Sequence, residues 1–292
     1  MNPIVRRIGR TVRRILHTVW PDLVLDERLL GELVWNKLQE EPQLRPWIEQ
    51  MSDEQARLHF GEEEALEGEQ LRRVTRYFHA WRIWMLRQRI GARLPEAKIL
   101  DVGDSDGLLL KHLGKTGTGF NLSEAVIRNI TANGIEARLG DGQALPFEDR
   151  VFDGVLCFET LEHVESPHQL LMELARVCKP EGRIYLSIPW VPRTFIHSRN
   201  PEYPRGVMHV FEFCRKDFDA LLSHTPLRMT WADICWVIGK PRTPAQWAFL
   251  QCYRRSHMVA GCFRGFQVFE LAPVAQEDAH VVEQRAVLGR AF

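Results

Sequence analysis

The sequence is short of several things, and each shortage excludes something. It has no net charge: 38 Lys and Arg are balanced by 38 Asp and Glu over 292 residues, and the pI is about 7.2. Holding nucleic acid by bulk electrostatics needs a clearly basic domain, so that class is disfavoured. No apolar run approaches the roughly 18 residues of a membrane-spanning helix, and the mean hydropathy is −0.24. Cys-x-x-Cys spacing is also missing. The six cysteines, Cys157, Cys178, Cys214, Cys235, Cys252 and Cys262, stand mostly in apolar stretches. They read as reduced, buried thiols rather than a disulfide framework or a zinc site, and a cytoplasmic protein is the expectation. There is no internal repeat and no low-complexity tract.

What is present begins with a local asymmetry. No acid precedes Asp22, while Arg6, Arg7, Arg10, Arg13 and Arg14 do, so this segment carries about +5 against about −5 for the remainder. Ile4, Val5, Ile8, Val12, Ile15, Leu16 and Val19 recur at three- and four-residue spacings, giving a basic amphipathic helix over 1–21 that Pro21 ends. Such a helix docks on its own domain or a partner subunit, or lies on an anionic membrane surface as a peripheral contact with Trp20 at its edge. Its scattered apolar positions argue against a cleavable targeting segment.

Residues 22–95 read as a helical extension, with Ser52 and Gln55 spaced as a capping box. An acidic run, Glu62–Glu64, leads into Tyr77–Trp84, which is expected on a long helix. From 96 to 273 short apolar runs alternate with helical patterns, predicting an α/β fold with a mostly parallel, doubly wound sheet. Strands are expected at 98–102, 117–121, 136–139, 154–158, 183–188, 228–237 and 266–271, and helices at 108–113, 124–133, 167–178 and 216–223. Residues 274–292 form a C-terminal tail.

The informative stretch is Ile99-Leu-Asp-Val-Gly-Asp-Ser-Asp-Gly-Leu-Leu-Leu-Lys111. A strand ends in Asp101, a turn holds Gly103 and Gly107, and a helix follows. In an open α/β sheet such a turn lies where ligands bind, at the carboxyl ends of strands near the switch point. A dinucleotide would bring its pyrophosphate to this helix N-terminus. Here Asp101, Asp104 and Asp106 would oppose it, at on the order of 1 kcal/mol or more per close pair. A ligand carrying a sulfonium and an ammonium, such as S-adenosylmethionine, meets no such penalty. The Gly-x-x-x-Gly spacing also departs from the dinucleotide pattern.

Further motifs follow in order: Gly119-Phe-Asn-Leu-Ser-Glu124, Gly140-Asp-Gly-Gln-Ala-Leu-Pro-Phe-Glu-Asp149, Phe152-Asp-Gly-Val-Leu-Cys-Phe-Glu-Thr-Leu-Glu-His-Val164 and Leu174-Ala-Arg-Val-Cys-Lys-Pro-Glu-Gly-Arg183. Together they resemble the class I, Rossmann-like S-adenosylmethionine-dependent methyltransferases, in the broad type-11-like small-molecule group. The resemblance implies a seven-stranded sheet with a reversed last strand. It also implies that Asp101, Gly103, Asp104, Ser105 and Gly107 shape the loop beside the cofactor's methionine part. Asn121, with Leu122, takes the place of the usual ribose-gripping acid. Asp141 would accept from the adenine amino group, with Gly142 and Gln143 beside it, and Phe158 and Glu159 would line the cofactor near its methyl. Two departures stand out. Ser105 replaces the middle glycine, and Asn121 lacks the charge that makes a carboxylate's hydrogen bonds roughly twice as strong.

For catalysis His163, His209 and Glu159 are the candidates, as general base or acceptor-site residues. Glu159, Glu162 and His163 fall at i, i+3 and i+4, spaced to share one helix face. Some metal-dependent members of the resembled family bind Mg²⁺ through a Glu-x-x-Glu-His segment and in certain cases a later His, for which His209 is the candidate; oxygen ligands suit Mg²⁺ better than imidazole, and no metal is expected. Residues 190–209, with Arg193, Arg199 and Arg205, read as an acceptor loop or a solvated one, and an insertion with Trp247, Phe249 and Tyr253 as a further apolar wall or a cover for the sheet. The expected activity is methylation, at oxygen, of a small molecule, lipid-linked precursor or glycan. The alternatives are a non-catalytic protein of the same fold or an RNA or protein methyltransferase.

Overall fold

The structure, a computed structural model, describes residues 69–91, 96–114, 117–191, 194–196, 209–236, 244 and 265–274. The basic helix, the capping box at Ser52, the acidic run Glu62–Glu64, Arg193, Arg199, Arg205, the insertion aromatics and the tail beyond 274 lie outside the described residues. Among those described, no helix is long and apolar enough to cross a membrane.

Along the chain the elements are α1 (Glu69–Ile90), β1 (Ile99–Val102), α2 (Leu108–Leu113), β2 (Thr118–Asn121), α3 (Glu124–Ala132) and β3 (Glu136–Leu139). There follow β4 (Phe152–Phe158), a 3₁₀ turn (Leu161–His163), α4 (Pro167–Val177), β5 (Cys178–Pro189), β6 (Phe195–Ile196), β7 (Phe211–Glu212), α5 (Arg215–Leu222), β8 (Leu227–Trp236) and β9 (Gly265–Pro273). The described residues from Met85 to Cys235 and from Phe266 to Val274 belong to one compact unit, and α1 up to Trp84 belongs to another.

The sheet runs β3-β2-β1-β4-β5-β9-β8. Its β3-β2-β1-β4-β5 portion is parallel, and β9 runs antiparallel to β5. Strand order therefore reverses between β1 and β4, and the carboxyl ends of these two strands form the switch point. β1 is buried along its whole length and β4 nearly so, which is why both are mostly apolar rather than alternating. α4 shows how local chemistry sets a boundary. The Ser166 hydroxyl accepts from Gln169 N–H, Pro167 occupies the first turn, and Leu170, Leu171, Leu174 and Val177 turn into the core.

Several strands differ in extent from the sequence expectation, β5 most of all. β5 begins at Cys178, not 183, because Lys179-Pro-Glu-Gly, which reads as a loop, continues the strand through an irregularity. Gly182 makes room for it: a Cβ there would lie 2.7 Å from Cys178 Sγ. β4 likewise starts at Phe152 rather than 154. The two-residue ribbon β6–β7 was not expected at all; it pairs Phe195 with Glu212 and Ile196 with Phe211.

Candidate active site

The parallel strands deliver their carboxyl ends to one edge, and the expected site residues collect there. Gly103 N–H donates to Phe120 O at 2.8 Å and Gly140 N–H to Asn121 O at 3.0 Å, tying the loops after β1, β2 and β3 together. Phe158 pairs in register with Ser187 at the end of β4.

The β1–α2 turn is built from its own aspartates. Asp104 Oδ1 accepts from Asp106 N–H at 3.1 Å and from Gly107 N–H at 2.8 Å, and Asp106 Oδ1 accepts from Leu108 N–H at 2.9 Å. Asp101, Asp104 and Asp106 are all buried, at 3%, 6% and 3% exposure. The amides that could cradle a phosphate at this helix start are thus already engaged by carboxylates. Burial, reinforced by the Asp106 carboxylate, pushes the Asp104 carboxyl up to about 6. Three buried carboxylates at this turn favour a cationic sulfonium-ammonium ligand over a diphosphate on electrostatic grounds.

The glycines are needed for packing as much as for access. Gly103 has φ +85°, and a Cβ on it would collide with Thr160 Oγ1. Gly107 has φ +73°, and its Cβ would meet Ile135 Cγ1 at 2.9 Å. Both positions lie in the region that costs other residues roughly 1 kcal/mol or more. The side chain that fills the cleft above Gly103 is Thr160, whose hydroxyl donates to Phe158 O at 3.0 Å; nothing in the local sequence marked it.

Asn121 sits where the resemblance puts it but braces the loop. Its Nδ2 donates to Asp104 O at 2.9 Å, and its Oδ1 accepts from Ser123 N–H at 2.9 Å. The neighbouring Leu122 is 73% exposed, an apolar flank at the same edge. Asp141 is exposed, with its carboxylate oriented by Gln143, whose Nε2 lies 3.1 Å from both oxygens. Gly142 packs beneath, where a Cβ would meet Leu170 at 3.1 Å.

Glu159, Glu162 and His163 do not share a helix face. Glu159 ends β4 in the left-handed region at φ +50°, and the 3₁₀ turn begins only at Leu161. Ser187 holds Glu159 in this strained conformation: its carbonyl accepts from Glu159 N–H at 3.1 Å and its hydroxyl donates to Glu159 Oε1 at 2.5 Å. Ser187 is a second residue that the sequence left unmarked. The fold instead brings His163 to His209, with ring centroids 4.8 Å apart in an edge-on arrangement. His209 Nδ1 lies 2.7 Å from Glu212 Oε1, and Val210 N–H donates to Glu162 O at 2.7 Å. Candidate ligand atoms of Glu162, His163 and His209 lie within 4.8 Å of one another. One carboxylate and two imidazoles are a donor set that suits a first-row divalent ion.

Comparisons with known proteins bear on the family and the fold. The family described as "Methyltransferase domain" matches residues 100–186. A ubiquinone biosynthesis O-methyltransferase of Xanthomonas oryzae is 31% identical over 166 residues, covering 51% of this chain and 69% of that protein. One from Hahella chejuensis is 31% identical over 171 residues, covering 52% and 70%. Among solved structures, a candidate methyltransferase from Bacillus halodurans superimposes with a TM-score of 0.50 at 19% identity, covering 65% of this chain and 97% of its own, a likeness of fold.

Proposed function

The chain belongs to the class I S-adenosylmethionine-dependent methyltransferases, and from that premise we propose that it methylates a hydroxyl of a lipid-linked small molecule. The relatives' names place them in ubiquinone biosynthesis as O-methyltransferases. The observation that carries the reading is the pair His209–Glu212 beside His163. A neutral His209 that donates Nδ1–H to the Glu212 carboxylate leaves the Nε2 lone pair to take a proton.

S-adenosylmethionine, when bound, supplies an electrophilic methyl on a neutral leaving group. The protein's part is to hold the acceptor oxygen in line and exclude water, for which several kcal/mol of the roughly 7–11 available to proximity suffices. The loops of Asp101–Gly107 and Asp141–Gln143 would hold the two ends of the cofactor, with Asn121 and Leu122 between them. Phe158 and Glu159 bound the space near the methyl. His209 Nε2 would receive the acceptor's hydroxyl proton, with His163 packed against the imidazole. Ile196, 73% exposed on β6, and the stacked Phe211 and Phe213 offer an apolar surface next to these histidines. That surface suits a lipid-linked acceptor better than a glycan.

A second reading is favoured by the clustering of Glu162, His163 and His209. In it the three side chains hold a divalent ion that lowers the acceptor hydroxyl's pKa, in place of a histidine base. The basic segment before Asp22 would keep the enzyme on anionic membrane where such acceptors reside.

The test is methyl transfer from labelled S-adenosylmethionine to simple phenols, phenols bearing an isoprenoid tail, and oligosaccharides, with and without chelator. Labelled, tailed phenol supports the reading. Label on oligosaccharide alone overturns it, and activity lost to chelator and restored by metal selects the second form. Removing residues 1–20 is expected to abolish sedimentation with anionic vesicles; unchanged sedimentation removes the membrane contact.

A further inference from the structure

We infer that Arg176, together with Glu173 and Asp149, is a positioning group that sets cofactor affinity by clamping the loop that carries Asp141. The inference rests on the reading that Asp141 meets the cofactor's adenine.

Residues 140–151 connect β3 to β4. The loop's own backbone bonds include local turns, Ala144 N–H to Asp141 O at 2.9 Å and Phe147 N–H to Leu145 O at 2.9 Å. Pro146 contributes no N–H. A segment of this kind holds a carboxylate in place only if something outside it fixes the backbone.

Arg176, in the last turn of α4, does so with all five of its N–H donors. Nε donates to Glu173 Oε1 at 2.7 Å and Nη2 to Glu173 Oε2 at 2.8 Å. Nη1 donates to Phe147 O at 2.8 Å and to Asp149 Oδ1 at 2.7 Å, and Nη2 also reaches Leu145 O at 2.8 Å. Glu173 Oε2 in turn accepts from Leu145 N–H at 2.7 Å. The hydrogen bonds from Arg176 hold the Glu173 carboxyl below the usual range. Both backbone polar groups of Leu145 are thereby fixed, along with the carbonyl on the far side of Pro146. The backbone of Arg176 adds its own carbonyl, which accepts from Arg150 N–H at 2.9 Å.

The clamp reaches Asp141 in two short steps. Leu145 follows Ala144, whose N–H closes the turn onto Asp141 O. At the other end of α4, Ser166 N–H donates to Gln143 Oε1 at 2.7 Å, and Gln143 Nε2 holds the Asp141 carboxylate. The loop is thus pinned to one helix at both ends. A lysine cannot reproduce this, since its three donors radiate from a point instead of a planar fork.

The experiment compares Arg176→Lys, Asp149→Asn and, as a control, Lys179→Ala, which removes the Lys179–Asp153 pair (2.6 Å) outside the loop. Affinity for S-adenosylhomocysteine is read by calorimetry well below the melting temperature, and amide exchange is read at Gln143, Leu145 and Phe147. Arg176→Lys is expected to weaken binding about tenfold and to speed loop exchange by a similar factor, because several charge-assisted bonds go at once. Asp149→Asn, which alters one exposed contact and leaves folding intact, is expected to weaken binding about threefold. Lys179→Ala stays within about twofold of wild type. Wild-type affinity in Arg176→Lys, or in Asp149→Asn should the former fail to fold, overturns the clamp, as does a drop in melting temperature with loop exchange unchanged. Were the wild-type chain to bind no cofactor, the adenine reading would fall, while the exchange contrast would still decide whether Arg176 holds the loop.

Discussion

Asp104 rests directly on Gly119: a Cβ built on that glycine of β2 would stand 2.7 Å from Asp104 Oδ2. A buried carboxylate from one loop therefore occupies the space that the next strand leaves by having no side chain. The same carboxylate orders the helix start through its other oxygen. Strand, loop and helix are fitted around a single acid.

The contact makes Gly119→Ala costly. The added methyl meets Asp104 Oδ2 and, at 3.0 Å, Ile130 Cγ2. A loss of about 1–3 kcal/mol is expected from overpacking, together with weakened cofactor binding, read by urea unfolding and calorimetry. An unchanged unfolding midpoint would contradict the contact.

Stability should carry the mark of the Asp104 carboxyl. Its pKa is pushed up to about 6 when folded, against about 3.9 in an unfolded chain. Between these values the folded form holds the proton and the unfolded form does not, so this group's contribution falls as pH rises from 4 to 6 and is level above. Asp104→Asn removes that dependence. Relative to wild type, the variant should gain up to about 2 kcal/mol between pH 4 and 6.5, measured by thermal unfolding. A difference that stays constant across the range would refute the assignment.

Gly103→Ala is expected to destroy cofactor binding. The residue must hold φ +85° and would clash with Thr160. Adding Thr160→Ala relieves the clash but leaves the backbone strain of about 1–2 kcal/mol, so the double variant should recover affinity only in part. Full recovery would show that the conformation is unimportant.

If His209 is the proposed base with His163 beside it, His209→Asn and His163→Asn should each lower kcat, by about 10²-fold or more where the base is lost. The Kd for S-adenosylmethionine should move less than about twofold, since neither lies in the loops proposed to bind it. A matched loss in affinity would place these histidines in the cofactor site instead. Glu212→Gln should lower kcat less than His209→Asn, as it retains a hydrogen bond to Nδ1.

Local chemistry was legible in the sequence where neighbours along the chain decide the structure. Leu108–Leu113 and Glu136–Leu139 have the bounds that their patterns predict, and Gly134 takes its left-handed φ of +77° just past α3. The reversed strand β9 beside β5 is the one that the family resemblance implied. What stayed hidden depends on partners distant in the chain. The left-handed Glu159 is stabilised by Ser187, 28 positions on, and so leaves the helix face that its spacing suggested. Arg176 stood in a recognised motif with no role attached, because its loop partners lie 27 to 31 positions away. The family resemblance did offer His209 as the later His for the Glu162–His163 segment, and β7 brings it there by folding back beside the 3₁₀ turn.

The most direct measurement is a calorimetric titration of the purified chain with S-adenosylmethionine, S-adenosylhomocysteine and NADH. A crevice whose helix-start amides are already taken by Asp104 and Asp106 should bind both thioether nucleosides and leave NADH unbound. Tight NADH binding, or heat from none of the three, would contradict it.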